Sequence, residues 1–177
     1  MKNRFNIKKL LISTLFSVIA LVIFVIEAQI PFPVSIYGLK PGLANIVILF
    51  VLFLGGKWKA RDLFLIFLVR VLLAAFITGQ TMSLIYSLTG GIAALLTMIA
   101  VKAGFKNAPA PFVSVTGAIA HNTGQLAAAA FVLQSTSVFA YFPVLIAGGI
   151  ISGLLTGFVV WGLFRTYPKF ISYINYI

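Results

Sequence analysis

Three polar side chains with chemical capacity fall within five residues of one another in a stretch that is otherwise apolar. They are His121, Asn122 and Gln125, in the segment Ala120-His121-Asn122-Thr123-Gly124-Gln125. A fourth polar group, Arg70, lies inside another apolar run, Leu63–Thr78. A histidine invites acid–base or metal chemistry, but either use needs partners. His121 is the only histidine, there is no cysteine, and the only acidic residues are Glu27 and Asp62. Metal sites are built from several such ligands, and hydrolytic or prenyl-transfer chemistry from paired carboxylates or aspartate-rich magnesium motifs. The chain cannot supply either set. No Gly-x-x-x-x-Gly-Lys-Ser/Thr loop is present, so ATP coupling would have to come from a partner. The reading is a non-enzyme with no cofactor of its own and no metal.

The solvent decides what these groups mean. Of the 177 residues, 62% are hydrophobic and 8% are charged, whereas a soluble domain carries roughly 25% charged residues. This composition predicts a single integral membrane domain, residues 1–177, all α-helical. Six apolar segments are candidate spans: 10–28, 43–55, 63–78, 82–101, 112–133 and 141–164, with 165–177 as an interfacial tail. The second and third are short against the roughly 20 residues a span needs. Such spans are tolerated where backbone lines a protein cavity. The first segment begins like a signal peptide, but its apolar run is too long for a signal core, and we read it as a span.

The basic residues orient the bundle. Lys2, Arg4, Lys8 and Lys9 precede span 1; Lys57, Lys59 and Arg61 lie between spans 2 and 3; Lys102 and Lys106 lie between spans 4 and 5; Arg165 and Lys169 follow span 6. The other side has Lys40 alone. The positive-inside rule then puts both termini in the cytoplasm, with the chain in the cell membrane. The net charge of +11 is therefore a product of insertion rather than a nucleic-acid footprint. Lipid is the expected partner.

Within this frame Arg70 sits near mid-bilayer, where a charge costs about 2.5–3.5 kcal/mol on insertion scales and must face the protein interior. Two readings stand level: an anion hook for a ligand phosphate or carboxylate, or a buried ion pair with Glu27. Ser114, Gly117, Ala118, His121, Gln125 and Ala128 follow a helical rhythm, so one face of span 5 is small or polar. Asn122 flanks it. These groups either bond neighbouring helices or line a polar cavity, and their depth beside Arg70 favours the cavity. Gly149, Gly153 and Gly157 form a small-residue ladder for helix packing in span 6, and Ser13 and Ser17 a weaker one in span 1. The proline-rich connector 29–42 reads as a cap over the bundle.

The segments Gly38–Gly56 (GLKPGLANIVILFVLFLGG), Leu68–Gly79 (LVRVLLAAFITG), Ser87–Met98 (SLTGGIAALLTM) and Gly117–Val132 (GAIAHNTGQLAAAAFV) resemble the bacterial family labelled heptaprenyl diphosphate synthase component I, or Gx transporter. The resemblance covers roughly residues 30–162. One label implies a part in making a prenyl diphosphate, for which this chain lacks the acidic residues. The other implies similarity to the substrate-binding subunits of energy-coupling factor importers: six helices, cytoplasmic termini, and an outward-facing pocket closed by the loop between helices 1 and 2. Those subunits dock to a transmembrane scaffold, which carries the ATPase, through small residues of helix 1. Ser13 and Ser17 stand where alanines are usual. The resemblance further implies a small-molecule ligand, with flavin as first choice. Arg70, Lys40 and His121 suit its phosphate, and Asn122, Gln125 and Asn45 complete the expected binding set. The alternative is a membrane accessory or anchor for isoprenoid-quinone or flavin-based electron-transfer enzymes.

Overall fold

The computed structural model describes residues 7–29, 42–79 and 81–176; of Asn175 and Tyr176 only the backbone is described. Among these the chain is all helical. The helices are α1 (Ile7–Gln29), α2 (Asn45–Leu54), α3 (Ala60–Thr78), α4 (Thr81–Gly104), α5 (Ala110–Leu133), a short 3₁₀ turn (Thr136–Tyr141), α6 (Phe142–Thr166) and α7 (Pro168–Tyr176). Each of the six apolar segments drawn above holds a helix of the α1–α6 series. The tail forms α7.

Among the described residues three stretches are long and apolar enough to cross a membrane: α1, α4, and the 3₁₀ turn continued by α6. Large apolar side chains cover the outside. Phe76 is 88% exposed and Ile151 68%, with Leu72, Leu155 and Phe158 beside them. Apolar surface on this scale marks contact with lipid or protein. The helices α3 and α5 also expose apolar flanks, but they carry the polar groups of interest, which lowers their hydropathy.

The bundle has a basic end. There the Lys9 ammonium donates to the Asp62 carboxylate and to the carbonyl of Lys57. Asp62 also accepts the Lys59 N–H at 2.8 Å, so it caps the first turn of α3 as well as holding α1. At the same end Phe16 packs edge-on against Trp58, Phe164 lies tilted against Phe50, and the Lys102 ammonium lies 4.2 Å from the centroid of the Phe53 ring. Ser17 is buried in α1. The Ser13 and Ser17 hydroxyls return to carbonyls four residues earlier, a local use that leaves no hydroxyl projecting.

The tightest seam joins α5 and α6, and glycines make it. A side chain at Gly153 would meet the backbone of Val115 and one at Gly157 the backbone of Pro111, while Gly149 lies under the Asn122 amide. The three-rung ladder of α6 is therefore spent on α5. Ser114 and Thr156 share a buried hydroxyl–hydroxyl bond of 2.7 Å across this seam. On the other flank of α5, Gly124 and Gly90 bring α4 as close. Close backbone approach of this kind is how helices gain packing energy where no hydrophobic driving force acts.

A polar cluster between α1, α2, α3 and α5

The helix α2 has only 10 residues, about 15 Å, and its first turn starts inside the bundle. Its N-cap Ala44 supplies no side-chain oxygen. The missing acceptor is Glu27, from the last turns of α1. Its buried carboxylate accepts the N–H of Gly42 and, at 3.3 Å, that of Ala44. A buried carboxylate thus caps a helix from another element, where the backbone N–H groups and the helix dipole favour negative charge.

Gly42 is required twice. Its φ is +82°, a region L side chains rarely adopt. A Cβ there would also lie 2.8 Å from Cδ2 of His121. The imidazole therefore rests directly on the turn that opens α2. Its Nδ1 is 3.2 Å from the Asn45 amide and its Nε2 2.8 Å from the Gln125 amide. A neutral imidazole donates at one nitrogen and accepts at the other, so one of these amides must present its oxygen and the other its NH₂. Gly42 and Asn45 on one side and Gln125 on the other, far apart in sequence, meet at this ring.

Arg70 completes the cluster from α3 and is 3% exposed. Its guanidinium carbon lies 5.5 Å from the Phe24 ring centroid and 5.7 Å from that of Phe67, cation–π distances. Among the described residues the ion pair within 4 Å is Lys9–Asp62, not Glu27–Arg70. Glu27 is within electrostatic reach of the arginine but is held by backbone N–H groups. Among the described residues no hydrogen-bond acceptor meets the guanidinium.

Asn122 belongs elsewhere. Its NH₂ donates to the carbonyl of Leu145 in α6 at 2.6 Å, and its Oδ1, although buried, has no partner among the described residues. Neighbouring residues on a helix point about 100° apart, which sends His121 towards α2 and Asn122 into the α5–α6 seam. Lys40 lies outside the described residues, as does most of the expected cap. Among the described residues no three His, Cys, Asp or Glu side chains group to hold a metal ion.

Phe24, Phe67 and the Gly42 turn were not singled out from sequence. A signal exists for the rings: each phenylalanine precedes its charged residue, Glu27 or Arg70, by three positions and so shares its helix face.

A family model for heptaprenyl diphosphate synthase component I matches residues 16–163. The chain belongs to the heptaprenyl diphosphate synthase component I family. Neither a curated protein nor a solved structure matches it. The match takes in Glu27, the α2 turn, Arg70 and the α5 polar face, so the whole cluster lies within the heptaprenyl diphosphate synthase component I region. The family's description is of a synthase component, a subunit that implies partner subunits, and the apolar exterior suggests contact with lipid.

Proposed function

We propose that this chain is a non-catalytic, six-span subunit of the bacterial plasma membrane, with cytoplasmic termini, that binds a small anionic or amphipathic molecule from the outer side. The observation that carries the proposal is Arg70. A fixed cation buried between two aromatic faces, with no acceptor among the described residues, is costly in a membrane interior unless something anionic joins it. The neighbouring Asn45, His121 and Gln125 supply both donors and acceptors, and the rings of Phe24 and Phe67 suit a flat or amphipathic body. Flavin-like and vitamin-like molecules carrying phosphate or carboxylate fit that description. The buried Glu27 would repel an anion, but its charge is directed at the α2 turn.

The test is native mass spectrometry of the purified chain with flavin mononucleotide as probe. Wild type should bind one molecule, and Arg70→Ala should lose it while remaining monodisperse. Equal retention by wild type and Arg70→Ala would remove the arginine from the site and the reading with it.

The family description favours a second reading, an accessory subunit that anchors an isoprenoid-forming enzyme at the membrane. It predicts stable co-purification with that enzyme from native membranes and indifference to Arg70→Ala.

A further inference from the structure

A groove of about 470 Å³ runs along the outside of the bundle between α1, α2 and α6, with α7 bordering its basic end, and its exposed lining is apolar throughout. Its α1 wall extends from Ile12 to Ile23, three helical turns or about 17 Å. That is close to the ~15 Å of hydrocarbon in one leaflet of a bilayer. A second apolar hollow of about 270 Å³ adjoins it and shares Phe50, Leu163 and Phe170 as a common wall. The shared wall lies at the α7 end, so two hydrocarbon chains joined at that end can enter the two hollows.

The charges at the mouth select the headgroup. Lys8 is one turn before Ile12 and so lies on the stripe of α1 that walls the groove. Lys169 is one turn before Tyr173, which borders it from α7. Both lysines are exposed. The acidic residue at this end, Asp62, is already engaged by Lys9 and Lys59. The α7 helix is anchored by Ile171 and Ile174, which are buried, while Phe170 and Tyr173 stay exposed beside the hollows.

We propose that this double groove is a binding site for one anionic diacyl phospholipid, its two chains in the adjoining hollows and its phosphate between Lys8 and Lys169. The site is separate from the Arg70 cluster and does not rest on the ligand reading given there.

The full-length chain is placed in nanodiscs of equal parts phosphatidylglycerol and phosphatidylcholine, released, and weighed with retained lipid by native mass spectrometry. Wild type should keep one phosphatidylglycerol per chain. Ile19→Trp, which fills the groove from an exposed position, should abolish retention. Leu72→Trp, on the exposed face of α3, should not. The pair Lys8→Gln and Lys169→Gln should each lower the preference for phosphatidylglycerol over phosphatidylcholine about fivefold. Arg70→Ala should retain the lipid whether or not it loses flavin mononucleotide. If Ile19→Trp does not fold, the lysine variants decide. Unchanged headgroup preference in the lysine variants overturns the proposal. So does retention of phosphatidylcholine equal to phosphatidylglycerol, or a second copy of the chain seated in the groove.

Discussion

The ring of Phe67 on α3 occupies the space left by the missing side chain of Gly91 on α4, and the same ring faces Arg70. One aromatic side chain is thus both the packing contact between two helices and a wall of the polar cluster. Gly91→Ala would drive a methyl into the ring. It should cost about 1–3 kcal/mol as an overpacked site and, on the proposed ligand reading, weaken flavin mononucleotide binding in parallel. Thermal unfolding in detergent and probe binding, measured on one preparation, would show the two losses together.

Gly157 tests the other seam. Its missing Cβ faces the backbone of Pro111, which cannot rotate away as a ring can. Gly157→Ala should therefore lower the unfolding midpoint more than Gly91→Ala does. Gly162 is the control, since nothing lies within 4 Å of a Cβ built there. As a helical position it should be neutral or gain about 0.5–1 kcal/mol on substitution by alanine.

Glu27→Gln keeps an oxygen for the N–H groups of Gly42 and Ala44 but removes its charge. Hydrogen bonds to charged groups contribute about 1.5–3 kcal/mol against 0.5–1.5 for neutral ones. Hydrogen–deuterium exchange should show faster exchange at residues 42–45 in Glu27→Gln, with α4–α6 unchanged. Uniform protection in both proteins would show that the carboxylate does not hold the turn.

Gln125→Leu would leave Nε2 of His121 buried without its partner. The expected loss is about 1–3 kcal/mol. The double variant with His121→Leu should lose less than the sum of the single changes, because Gln125 and Nε2 of His121 are then removed together and the Asn45 amide loses its partner only once. Unfolding midpoints of the four proteins complete the cycle.

At the basic end the prediction concerns pH. Burial pushes the Asp62 carboxyl up, but the Lys9 ammonium, the Lys59 N–H and the nearby charge of Arg61 outweigh it and hold it below the usual carboxylate range. A carboxylate with a depressed native value stabilises the fold fully above its unfolded value, about 3.9. That contribution disappears as pH falls through the lower native value. Stability should therefore decline on acidification below about pH 4. Asp62→Asn should be less stable at neutral pH and show a shallower acid decline.

The helical class was legible because apolar runs of this length allow little else, and the packing face of α6 was legible because glycines four apart mark a close neighbour, although that neighbour, α5, was not. The polar cluster was legible in part. Arg70, His121 and Gln125 stood out by being polar in the wrong solvent, a signal carried by single residues. What escaped was anything set by backbone. Nothing in the sequence says that Glu27 is held by N–H groups rather than by Arg70, since backbone donors leave no compositional mark. Asn122 shares a stretch with His121 but not a neighbour, because one step along a helix turns the side chain by about 100°.

The brevity of α2 bears on how the protein is made. A 10-residue helix covers only about half of a ~30 Å hydrocarbon layer, and α3 carries a charge at its centre. On the six-span reading neither element would partition into lipid unaided. They would have to enter the membrane as a pair and await α5, whose histidine closes over the α2 turn. The order of synthesis then sets a waiting time during which Glu27, already in place on α1, offers the α2 turn its acceptor, and Phe16 offers Phe50 a ring to pack on.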